Sequence, residues 1–138
     1  MALEFDLKEK LRRIEALHAG ATTDGERAAA SAALDRLRAR LRDTQQTERA
    51  REFKFLMRDT WARRLFIALC RRYGLEPYRK KGQRYTTVNL KAPQSFVDSI
   101  LWPHYRELEY ALREYLDAAT ERIIRENVYK DAGEAMER

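Results

Sequence analysis

The stretch RRYGLEPYRKKGQRYTTVNLKAP, residues 71–93, decides the reading of the fold. It opens on the end of a helix that Gly74 stops. It continues as two strand-like runs, LEPYRK and RYTTVNLKA, with Gly82 between them as a turn residue. The second run is rich in Thr, Val and Tyr, the residues that suit a pleated surface. Pro77 lacks an N–H, which places the first run at a sheet edge or starts it after the proline. Strand alternation predicts that Thr86, Val88 and Leu90 face the core and that Tyr85, Thr87, Asn89 and Lys91 face outward. The stretch also carries seven Lys or Arg against one acid, Glu76.

Upstream, EFKFLM (residues 52–57) alternates as a short strand. A helix then starts from Asp59 or Thr60. Its spacing gathers Trp61, Leu65, Phe66, Ala68, Leu69, Cys70 and Tyr73 on one broad face, with Arg63, Arg64, Ile67 and Arg71 opposite. Downstream, Pro93 opens an apolar helical turn, and Pro103 kinks or restarts the helix. Tyr105, Leu108, Leu112, Tyr115, Leu116, Ala119 and Ile123 then form one stripe on a long helix over residues 104–128. That helix outreaches a small sheet, so its outer end needs cover from the N-terminal helices or from a second chain. Tyr115, Ala119 and Ile123 are the expected contact residues, and a homodimer is the expected supplement.

The N-terminal third reads as a helical hairpin. Leu7, Leu11, Ile14 and His18 share a stripe, with Asp6 as N-cap and Gly20 as stop. Thr23–Glu26 fits a capping box, followed by Ala30, Ala33, Leu34, Leu37 and Leu41. Residues 43–52 are a fraying helix end or a linker. The run KLRRIEALHAGATTDGERAAASAALDRL, Lys10 to Leu37, resembles the helical module called domain of unknown function 2786. The resemblance rests on Leu11, Ile14 and Leu17 in a first helix, a Thr-rich loop, and Glu26 opening an Ala-rich helix with Leu34 and Leu37. It covers about a quarter of the chain. It implies a small α/β domain to follow and a bacterial or phage origin, and it brings no activity.

The expected fold is therefore α+β. A helical hairpin (residues 1–48) precedes a β-α-β-β-α unit (49–130) with a small, mainly antiparallel sheet, a long last helix and a frayed tail (131–138).

The chain has 138 residues, a formal charge of +6 and a pI near 9.6. Residues 51–100 alone carry twelve bases and four acids. The excess is a local patch rather than a property of the whole chain. With one cysteine, Cys70, no intramolecular disulfide forms, which fits a reducing cytoplasm. No run approaches the ~20 apolar residues of a membrane span, and MALEFDLKEK lacks the apolar core of a signal peptide.

Catalytic signals are sparse. His18 and His104 are the only histidines, each better read as packing than as a base. Cys70 lies at a core edge, and no zinc-ligand spacing, paired carboxylates or phosphate-loop motif occurs. No cofactor is expected. The nucleic-acid reading rests on Arg63, Arg64 and Arg71 of the helix with Arg79, Lys80, Lys81, Arg84, Tyr85, Asn89 and Lys91 of the hairpin. Against it, edge strands carry cations simply to resist aggregation. The sequence expectation is a non-enzymatic nucleic-acid-associated protein. The alternative is a protein-interaction module acting through the long helix, with no membrane role in either case.

Overall fold

The computed structural model describes residues 2–19 and 27–138. In chain order these form α1 (Ala2–Ala19), α2 (Arg27–Thr47), β1 (Arg51–Leu56), α3 (Thr60–Arg72), β2 (Thr87–Ala92), a one-turn α4 (Gln94–Phe96), a π-turn (Val97–Leu101) and α5 (Trp102–Asn127). The architecture is α+β, with an N-terminal helical pair, a two-stranded antiparallel sheet and a long last helix. The expected Gly20 stop and the Thr23–Glu26 capping box lie outside the described residues.

Spacing explains α2. Ala33, Leu37 and Leu41 recur every four residues and are all buried. Leu37 and Leu41 join the same apolar core as Phe66, Leu90, Phe96 and Leu101. The helix runs on through Thr47, and Glu48 then accepts hydrogen bonds from the Ser95 amide (3.1 Å) and hydroxyl. That carboxylate satisfies a donor at the start of α4, whose own N-cap, Pro93, offers no side-chain acceptor.

Asp59 caps α3 by accepting from the Ala62 amide at 2.9 Å. The other end closes at Gly74, whose φ of +80° is the left-handed region that favours glycine. There the Leu75 amide reaches back to the Cys70 carbonyl and the Gly74 amide to the Arg71 carbonyl, both at 2.9 Å. Arg38 of α2 donates from Nε to the Arg72 carbonyl at 2.8 Å, tying the two helices at this end. The apolar side of α3 is narrower than its spacing predicts. Ala62, Phe66, Leu69 and Cys70 are buried, whereas Trp61 is 52% exposed and Ala68 is exposed as well.

β1 and β2 pair from Arg51 opposite Ala92 to Leu56 opposite Thr87. The expected strand from LEPYRK shrinks to one bridge, Tyr78 to Asn89, with two backbone hydrogen bonds of 2.8 and 2.9 Å. Pro77 cannot donate to a ladder, and after Tyr78 the chain turns through Gly82 (φ +88°) instead of running alongside β2. This bend corrects the predicted alternation. Thr87 and Asn89 are buried along with Val88 and Leu90, since residues 78–83 fold over the second face of β2.

The π-turn answers Pro103. The Trp102 amide bonds the Val97 carbonyl five residues back, and Pro103, which has no N–H to give, enters just inside the following helix. α5 spans 26 residues, about 39 Å at 1.5 Å per residue. Its first half buries His104, Tyr105, Leu108 and Ala111. Phe66 lies between Phe55 (4.6 Å) and Tyr105 (5.1 Å), joining β1, α3 and α5 through one aromatic cluster. α1 packs along α5, where Lys10 pairs with Glu114 at 3.0 Å. A groove of about 800 Å³ runs between these two helices, lined by Leu3, Leu7, Lys10, Ala111 and Tyr115 among others. Tyr115 and Ala119 are half-buried, and Ile123 is 59% exposed.

Candidate nucleic-acid interface

Arg63, Ile67 and Arg71 are spaced by four and therefore form one stripe along α3. This stripe faces the segment after Gly74. Between them lies a cleft of about 220 Å³, lined by Arg63, Ile67, Arg71, Pro77, Arg79 and Val88. Its walls are cationic and its floor is apolar.

Tyr85 organises two of the cations. The Arg63 guanidinium lies 4.1 Å and that of Arg79 5.0 Å from its ring centre. Arg63 also donates from Nη1 to the Tyr85 hydroxyl at 3.2 Å. The ring's negative face attracts both guanidiniums. Tyr85 thus acts as a post that holds arginines, rather than as the free stacking platform its sequence position suggests. Arg63 Nε is shielded from solvent and has no acceptor among the described residues.

The remaining cations sort by their partners. Lys80 pairs with Glu52, which also accepts from the Tyr78 hydroxyl and sits opposite Lys91 across the ladder. The Lys80 and Tyr78 hydrogen bonds hold the Glu52 carboxyl below its ordinary range, and the same carboxylate pushes the Tyr78 phenol up to about 12. Arg113 is engaged by Asp59 and Glu109, each at 2.8 Å. By contrast, Arg63, Arg71 and Arg79 meet no carboxylate within ion-pair distance among the described residues.

Of the ten residues predicted from sequence, the structure brings Arg63, Arg71, Arg79 and Tyr85 together. Arg64, Lys81 and Arg84 are exposed outside the cleft lining, and Lys80 and Lys91 attend Glu52. Asn89 is 1% exposed. Its carboxamide donates to the Gln83 side-chain oxygen (2.6 Å) and to the Tyr78 carbonyl (3.2 Å), so it shapes the turn from inside and offers nothing to a ligand. Sequence reasoning missed Glu52 as the counter-charge and Pro77 and Val88 as walls. The four-residue spacing of Arg63, Ile67 and Arg71 was the signal for the cleft's helical side.

The histidines form a separate buried cluster. The rings of His18 and His104 stack 4.8 Å apart, and Tyr73 Oη lies 2.7 Å from His104 Nδ1. Burial, with lesser contributions from His18 and Arg72, lowers His104 to about 4. Burial also pushes the Cys70 thiol up to about 12, which removes its nucleophilic form near neutrality. Among the described residues no three His, Cys, Asp or Glu side chains converge as metal ligands, and no helix is long and apolar enough to cross a membrane.

In comparisons with known proteins, no family model, no curated protein and no solved structure matches this chain.

Proposed function

We propose that this is a non-enzymatic, nucleic-acid-associated protein of the cytoplasm, a regulator or accessory factor, which contacts phosphate through the cleft between α3 and the Gly82 turn. The observation that carries this reading is the convergence of Arg63, Arg71 and Arg79 on one cleft without a carboxylate partner among the described residues. Nearby, Lys80 meets a carboxylate while the exposed Arg64, Lys81 and Arg84 meet none among the described residues, and what sets Arg63, Arg71 and Arg79 apart is the cleft they share. Like charges held together by a tyrosine post repel one another, and a polyanion relieves that repulsion. Low-dielectric walls strengthen the field at the cleft. The resemblance of residues 10–37 to domain of unknown function 2786 adds an expectation of bacterial or phage origin.

The test is binding of the full chain to duplex DNA, single-stranded DNA and RNA across a salt series. Arg71→Ser with Arg79→Ser is expected to weaken binding and to flatten the salt dependence, by about 0.9 per lost duplex contact. Unchanged affinity and slope would refute the assignment of the cleft.

A second reading has its own observation. Tyr110, Ile123, Val128 and Tyr129 are each more than half exposed on or just beyond α5. Exposed Ile123, on the same stripe as Tyr115 and Ala119, supports a protein-interaction module or a homodimer. It predicts a concentration-dependent sedimentation coefficient that Ile123→Asp abolishes.

A further inference from the structure

We propose that the cleft binds a phosphate monoester, the terminal phosphate of a strand or of a free nucleotide, rather than the continuous backbone of a duplex. The inference rests on the phosphate-binding reading above and narrows it to one chemical group.

Size comes first. A cleft of about 220 Å³ equals roughly seven waters' worth of liquid. A duplex, whose major groove alone is ~12 Å wide, lies across such a dent and offers it only backbone phosphate at the rim. A terminal phosphate projects from its chain and fits inside.

Charge comes second. A phosphodiester carries one negative charge, whereas a monoester carries about −1.5 to −2 near neutrality and offers three strong acceptor oxygens. A reader of continuous backbone needs its cations in a row along the strand. Here the three arginines line two sides of one cleft. Arg63 and Arg71 lie two helical turns apart, on either side of Ile67, and Arg79 faces them from the other wall. That arrangement matches a dianion with oxygens in several directions.

Preorganisation comes third. The stack of Arg63 and Arg79 on Tyr85 fixes two of the three donors before any ligand arrives, which lowers the entropy lost on binding. Ile67, Pro77 and Val88 add apolar lining beside the arginines, which lowers the local dielectric and strengthens charge-assisted hydrogen bonds made there.

The experiment titrates the full chain with one short single-stranded oligonucleotide in three forms: 5′-phosphorylated, 3′-phosphorylated and unphosphorylated. A nucleoside monophosphate is the competitor. A terminal phosphate is expected to tighten binding about tenfold or more. Arg71→Gln and Arg79→Gln are expected to erase that gain, bringing all three strands to one affinity below that of the unphosphorylated strand on the unaltered protein. Both side chains are exposed, so neither change threatens folding, and circular dichroism checks this. Competition by the monophosphate identifies a free nucleotide as a sufficient ligand, and a gain confined to one strand end identifies the strand as the source. Equal binding of all three strands, with no competition, overturns the inference and leaves the nucleic-acid reading standing. Binding of the monophosphate with no strand binding keeps the inference and overturns that reading. Absence of binding to every probe overturns both.

Discussion

Acidification to pH 5 should destabilise the fold through His104, before the carboxylates begin to protonate. The ring is 3% exposed, stacked on His18, and within 2.7 Å of the Tyr73 hydroxyl. A neutral ring can accept that hydroxyl proton at Nδ1. An imidazolium cannot, and it would hold its charge in a buried site beside the His18 ring. Burial, then His18 and Arg72, lowers His104 from an ordinary 6.5 to about 4. Burial lowers His18 too, with Glu107 opposing. In the unfolded chain the ring takes a proton near 6.5, while in the folded chain it refuses one until about 4. Its contribution is therefore complete above 6.5 and is lost as the pH falls toward 4. Each tenfold change in proton affinity is worth ~1.4 kcal/mol, so the whole window carries roughly 3 kcal/mol. Glu48, Glu52 and Asp59 are held below their ordinary values, so their contributions persist above about 4.5 and fade below it. Urea unfolding at pH 7.5, 6.5, 5.8 and 5.0 isolates the histidines. Stability should fall by up to ~1.4 kcal/mol per pH unit as His104 refuses its proton, and His104→Gln should remove that increment. A flat profile from 6.5 to 5.0, or an unchanged slope in His104→Gln, would refute the argument.

Asn89→Ala removes the second donor to the Tyr78 carbonyl and the carboxamide partner of the Gln83 side chain, and should cost ~1–3 kcal/mol in urea unfolding. Asp59→Ala removes the α3 cap and should lower stability by about 1 kcal/mol, while Arg113 keeps its pairing with Glu109. Asp59→Asn keeps an acceptor for Ala62 and should lose less, which thermal melts of the pair would show. Ile123→Asp changes a side chain already 59% exposed, so unfolding should shift by no more than ~0.5 kcal/mol. A larger loss, or a drop in sedimentation coefficient, would mean that this face is covered in solution.

Periodicity made the helices legible. The stripes of α2 and α5, the Asp59 cap and the Gly74 stop all lie in residue order, because they depend on neighbours three or four positions away. The second face of β2 was not legible in the same way. Alternation assumes that a short strand has one wet side, and Asn89 and Thr87 look polar enough to line it. Only tertiary folding of residues 78–83 onto that side turns both inward. The cleft was half legible for a related reason. The spacing of Arg63, Ile67 and Arg71 aligns them along α3, but nothing local says that Lys80 goes to Glu52, 28 positions earlier, while Arg79 goes to Tyr85.

The pairing of α1 with α5 constrains the order of folding. Lys10 and Glu114 are 104 positions apart, so the surface on which α1 rests is made roughly a hundred residues after α1 itself. At ~5–20 residues per second on a ribosome, α1 waits on the order of 5–20 s for its partner. Isolated helices of its length are marginal in water. During that interval Leu7, Leu11 and Ile14 have no apolar cover from α5, and only α2 is there to pack on α1. The α1–α5 contact can close only after β1, α3 and β2 have emerged, so it forms late. Its long loop closure makes it a slow, entropically costly step. A refolding experiment should find α1 the last helix to gain hydrogen-exchange protection.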